Sequence, residues 1–176
     1  EATGTNNKHL HRIIAVAGHQ VHSFEEFYID DELVTVNSDG NVTAPEKYVK
    51  TTTTTVQTGV DGNGNPTYET QTTTDYLVRI LPYLGSADQQ ASTELVEESG
   101  GKWTSQHRLR GIAYMYVRLK FNADVFPNGV PSITAVVKGK KVFNPANGTT
   151  DWSDNPALCL RDYLTSKYGL SEAAAN

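Results

Sequence analysis

Five histidines head the side chains that could do chemistry. His9 and His11 fall on one face of a strand, and His19 and His22 lie three residues apart. Two such pairs could offer imidazoles to zinc. No acidic or cysteine ligand accompanies them at a metal-site spacing, so no metal is expected. Asp61-x-Asn63-x-Asn65 resembles the start of a calcium loop, but Pro66 stands where glycine is needed and Thr72 where a bidentate glutamate is needed. A turn is the better reading. Asp30, Asp31 and Glu32 could be paired carboxylates for acid–base work, yet they fall at a solvated hairpin turn. Cys159 sits beside Leu158 and Leu160, which reads as a buried structural thiol and not as an activated nucleophile. Trp103 and Trp152 could stack on a sugar, but core or junction anchoring explains them better. No Gly-x-Ser-x-Gly, phosphate loop or dinucleotide fingerprint is present. No catalytic residue, metal ligand or cofactor is therefore expected, and a binding or scaffold role leads.

Composition narrows the classes further. The chain has 176 residues, a net charge of −5 and a single cysteine. Its length fits one domain. One cysteine excludes an internal disulfide framework and a cysteine-based zinc cluster. The negative charge argues against nucleic-acid binding, which needs a basic face; the densest basic runs, Arg108–Arg110 and Lys138–Lys141, are short. No stretch approaches the roughly 20 apolar residues of a transmembrane helix. Threonine is in excess: 21 residues, 11 of them between Thr51 and Thr74. Threonine is β-branched and favours strands.

The hydrophobic pattern predicts an α+β fold of mostly antiparallel strands with two main helices, at about 86–99 and 155–168. Lys8–Ala17 reads as a strand. Phe24–Ile29 and Glu32–Val36 read as a hairpin turning at Asp30-Asp31, and 37–41 reads as a loop. Gly111–Phe121 is the clearest strand. Its Ala113, Met115, Val117, Leu119 and Phe121 should face the core. Tyr114, Tyr116, Arg118 and Lys120, on the other face, read as half-exposed and as a candidate subunit interface, where Tyr and Arg are enriched. Ser132–Val137 and Lys141–Phe143 are further strands. Ser86 with Gln89 reads as a capping box opening the first helix, and Ser153–Pro156 as the start of the second. In the second helix Pro156, Leu160, Tyr163 and Leu164 form one apolar face, and Gly169 caps the end.

Tyr48–Thr58 and Thr67–Ile80 flank a segment, 59–66, rich in the Asp-Gly and Asn-Gly pairs of tight hairpin turns. The flanks hold few large apolar side chains before Tyr76. A protruding, solvent-exposed, Thr-rich β-hairpin is expected, with 48–80 inserted as an arm into a domain spanning 1–170. Ser171–Asn176 reads as the start of a next helix, and the chain as a piece of a longer protein.

The C-terminal third carries a resemblance. Val136-Val137-Lys138-Gly139-Lys140-Lys141-Val142-Phe143-Asn144-Pro145 runs into Asp151-Trp152-Ser153-Asp154-Asn155-Pro156-Ala157-Leu158, then Leu160-Arg161-Asp162-Tyr163-Leu164 and Tyr168-Gly169-Leu170. This pattern resembles the tip attachment (host-specificity) protein J family of long-tailed phages and the related tail hub proteins of prophages. Asn144 stands where the family has Asp, and Ala146 where it has Arg. His11–Gly18 with Val21–Leu33, and Gly111–Phe121, resemble it more loosely; the threonine arm lies outside the pattern. The resemblance implies a non-catalytic structural module of a tail-tip or baseplate hub. It implies a trimer in the full-length protein, contacts with other tail-tip and tail-tube proteins, attachment to the host surface, and a place at the distal tail tip of a virion made in the bacterial cytoplasm. A host-surface or glycan-binding module acting through the arm is the alternative.

Overall fold

The computed structural model of the chain describes residues 2–167 and 169–170. Ser171–Asn176 and Tyr168, both assigned to helix or helix end above, lie outside the described residues. In chain order the elements are β1 (Ala2–Thr3), β2 (His9–Ala17), β3 (Ser23–Ile29), β4 (Glu32–Val36), β5 (Val42–Ala44), β6 (Val49–Val60), β7 (Pro66–Tyr76), β8 (Val78–Tyr83), α1 (Thr93–Glu98), β9 (Ala113–Lys120), β10 (Ile133–Lys138), β11 (Val142–Asn144), β12 (Thr149–Asp151) and α2 (Pro156–Thr165). The fold is mostly antiparallel β with two helices. One four-stranded sheet has the order β1-β2-β9-β8 and a second the order β10-β3-β4-β5; β6 pairs with β7, and β11 with β12.

The core lies between the two four-stranded sheets. Val78, Ile80, Met115, Val117 and Leu119 from the first pack with Ile29, Val34, Val42 and Ile133 from the second. Period-two alternation produces this directly: in β9 the aliphatic set points inward, as in a strand with one face on a core. The β3–β4 hairpin turns at Asp30 and Asp31, both with positive φ (48° and 63°). That is the turn type whose twist matches the flanking strands. Phe121 departs from expectation: it lies just past β9 and is 70% exposed. The ladder has ended there, so the alternation no longer sets its direction.

The first helix is much shorter than expected. Only Thr93–Glu98 is helical, and Ser92, not Ser86, is its cap, accepting from the Leu95 N–H at 3.2 Å. The Ser-x-x-Gln pattern at 86–89 is not a capping box, because Gln89 serves a tertiary role. Its buried amide accepts from the Gly85 N–H (2.7 Å) and donates toward the carbonyls of Leu109 (2.8 Å) and Arg108 (3.1 Å). The second helix starts as read: Asn155 accepts from the Ala157 N–H at 2.9 Å, and Pro156 occupies the first turn. It ends at Thr165, and none of its residues is buried. Cys159 is exposed there, which corrects its reading as a buried thiol: the helix turns that side away from the core.

β6 and β7 form a two-stranded ribbon with residues 50–74 all exposed. The segment read as one strand over Thr67–Ile80 breaks at buried Leu77, where β7 leaves the ribbon and β8 joins the first sheet. The Leu77 N–H donates to the Tyr48 carbonyl at 2.9 Å, so the chain enters and leaves the ribbon at adjacent points.

Candidate functional site

Tyr114, Tyr116, Arg118 and Lys120 do not form an outward face. Tyr114 and Tyr116 are fully buried. The physical reason is that α1 and the segment after it fold over this side of β9. Leu95, Trp103 and Leu109 pack against the two tyrosines, and Tyr83 stacks on Tyr114 with ring centroids 4.6 Å apart. Lys120 pairs with Asp75 at the root of the ribbon. The face read as an interface is thus occupied by the chain's own α1, β7 and β8.

What these residues build is a polar chain centred on Glu98, the last residue of α1. Glu98 Oε1 accepts from Arg118 Nη1 at 2.8 Å and from Arg79 Nη1 at 3.0 Å. The Tyr116 hydroxyl donates to Glu98 Oε2 at 2.9 Å. His11 Nδ1 lies 2.8 Å from the same hydroxyl, and its Nε2 lies 2.7 Å from Thr3 Oγ1. Tyrosine has one proton, and the carboxylate takes it. His11 must therefore donate through Nδ1–H to the tyrosine oxygen and accept from Thr3 through Nε2. Every proton runs one way, from β1 through β2 and β9 to the end of α1.

The charges in this cluster follow from its burial. Burial works against the Glu98 carboxylate, but the Tyr116 hydrogen bond and the guanidiniums of Arg118 and Arg79 outweigh it and hold the carboxyl below its ordinary range. Burial pushes the His11 imidazole below its ordinary value despite Glu98 nearby, so it is neutral at pH 7. Burial also raises the Tyr116 hydroxyl, reinforced by Glu98. Arranged this way, the cluster locks five elements together, β1, β2, β8, β9 and α1, through donors and acceptors that face one another. Sequence reasoning missed Glu98, Arg79 and His11 as partners. The one signal was an alternating basic and aromatic face on β9, which asks for an acidic counterpart.

The other candidates fall elsewhere. His19 and His22 line an open cleft of about 530 Å³ with Lys140 and Lys141, whose ammonium groups disfavour a cation. Among the described residues no group of three or more His, Cys, Asp or Glu is placed to hold a metal. Asp61 Oδ1 accepts from the N–H groups of Asn63 and Asn65, both at 2.9 Å, and so closes the ribbon's turn. Trp103 packs in the tyrosine cluster and against His107. Trp152 lies beneath the Lys138 ammonium, 5.1 Å from its ring centroid.

The C-terminal motif residues meet one another. β11 pairs with β12, Val142 opposite Asp151. Lys140 reaches both oxygens of Asp162 at 2.8 Å, Lys141 lies 3.3 Å from Asp151, and the Arg161 guanidinium stands 5.4 Å from the Phe143 ring centroid. α2 is therefore tied to the β11–β12 hairpin by charge and stacking, and leaves Leu160 and Tyr163 exposed. No protein-family model and no curated protein matches the chain.

Proposed function

We propose that this chain is a non-catalytic structural module of a phage tail-tip or baseplate hub, contributing to tail-tip assembly and host attachment. The observation that carries this reading is the mutual contact of the motif residues in 136–164. The residues that resemble the tail-hub pattern are the ones that bind β10, the β11–β12 hairpin and α2 into one unit: Lys138 with Trp152, Lys140 with Asp162, and Arg161 with Phe143. Motif residues whose side chains contact one another across three elements describe a scaffold. The exposed Leu160 and Tyr163 on α2 suit burial against another copy or a neighbouring tail protein. In this reading the module works at the distal tail tip as part of a trimer, beside tail-tube proteins, after synthesis in the bacterial cytoplasm.

The exposure of residues 50–74 favours a second reading, a host-surface or glycan-binding module acting through the ribbon. Deleting Gly59–Pro66 in the virion that encodes the chain separates the two. Under the hub reading, particle yield and tail length fall. Whole particles that no longer adsorb would favour host binding. Immunogold labelling of intact virions is expected at the distal tail tip, and virions without label anywhere on the tail would overturn both.

A further inference from the structure

The outer edge of β6 is an unclaimed hydrogen-bonding surface. β6 and β7 form a sheet of two, so along each outer edge every second residue leaves its N–H and C=O unpaired. Natural edges are blunted by charge, proline or bulges. β7 carries such guards: Pro66 at its start, Glu69 in its middle and Asp75 at its root. β6 carries almost none. From Thr51 to Val60 it has no charged residue and no proline, and its register shift falls between Gln57 and Gly59, toward the tip. Thr51–Val56 is an exposed, uncharged run of five threonines and a valine, unbroken in register. The faces there are uncharged too: Thr51, Thr53 and Thr55 stand opposite Thr74, Thr72 and Thr70, and Thr52 and Thr54 opposite Thr73 and Gln71.

We propose that this edge pairs antiparallel with the β6 edge of a second copy, about a two-fold axis that sets Thr53 opposite its own copy. The pairing makes a four-stranded sheet with a β7 on each outside. The charge pattern selects this partner. In that sheet Glu69 and its copy are ~25 Å apart, counting three strand spacings across and six residues along, beyond the reach of screened repulsion. One bare edge and one guarded edge also stop growth at two copies, where two bare edges would continue into a filament. The pairing does not rest on the tail-tip reading; in a trimeric hub it cannot close among three copies and joins ribbons of separate trimers. A three-fold ring through the ribbons would instead join β6 to a neighbour's β7.

Sedimentation of the full chain over a concentration series is expected to show monomers passing to dimers. Thr53→Lys, which places like charges across the axis, should weaken dimerisation about tenfold. Thr72→Lys, its opposite number on β7, should leave it within about twofold, since that edge is outside the contact. Both positions are exposed, and circular dichroism checks that the fold is kept. In a Cys159→Ser background, Thr53→Cys should give covalent dimers with a short bismaleimide and Thr72→Cys should not. A chain that stays monomeric at every concentration overturns the pairing. So does equal weakening by both lysines, a dimer that survives replacement of 50–75 by a short linker, or cross-linking only between Thr53→Cys and Thr72→Cys chains.

Discussion

Glu98 is the acidic centre of the polar chain that joins β1, β2, β8 and β9 to α1. It accepts from two guanidiniums and one hydroxyl, with its side chain 27% exposed. Glu98→Gln keeps the shape but removes the charge that offsets Arg79 and Arg118. Breaking a fully buried pair costs about 3–5 kcal/mol, and partial exposure brings the expectation here to about 2 kcal/mol. Denaturant melts at pH 7 measure it. The pH dependence has a definite sign. Glu98 is lowered in the folded state, so its contribution is present above the unfolded carboxyl value of 4.5 and is lost as pH falls through the folded value. His11 is also lowered, so its stabilising contribution is present above 6.5 and is lost as pH falls through its folded value. Acidification from pH 7 should therefore destabilise in two stages, around the neighbours His9, Arg79, Arg118 and Tyr116. His11→Gln should shrink the upper stage, to which His9, also lowered by burial, contributes, and Glu98→Gln should shrink the lower. Unchanged pH profiles in both variants would show that the cluster does not set acid stability.

Among the elements, strands were the legible part. β2, β3, β4, β9 and β10 announce themselves by period-two alternation, and α2 by its cap and proline, because those signals are local. What covers a sheet face is set by residues far away in sequence, and there the reading failed. Tyr114 and Tyr116 carry polar tips on large apolar bodies, so their types alone do not tell a lid from a partner. β5 and β12 are three-residue strands without period, defined only by what they pair with. The segment before α1 failed for a related reason: Gln89 holds the carbonyls of Arg108 and Leu109, which no local pattern encodes. That difference can be measured. Gln89→Ala strands the buried Gly85 N–H and takes the amide from three carbonyls, those of Arg108, Leu109 and Ile112, and should cost about 2–3 kcal/mol. Ser92→Ala loses a helix cap, about 1 kcal/mol. Ser86→Ala should stay within about 0.5 kcal/mol. Thermal melts giving Ser86→Ala the largest loss would restore the longer helix.

On the scale of the whole molecule, the chain divides into a packed body and a ribbon that buries little. Every residue from 50 to 74 is exposed, so the threonine excess adds scarcely any apolar area to the core. A two-stranded ribbon alone is marginal in water. It holds its register here because it is anchored at its root by buried Tyr48 and Leu77 and by the Lys120–Asp75 pair. Those anchors sit side by side, so the ribbon can be removed without stretching the body. Replacing 50–75 with a four-residue Gly/Ser turn should leave the melting temperature within about 4 °C, the shift that roughly 1–2 kcal/mol produces in a domain of this size. The same replacement should abolish any function that resides in the ribbon, whether strand pairing between copies or contact with a host surface. A collapse of the melting transition would mean that the ribbon folds with the body as one cooperative unit. A body that melts unchanged while assembly or adsorption is lost would place the ribbon's role outside the chain's own stability, in what it touches.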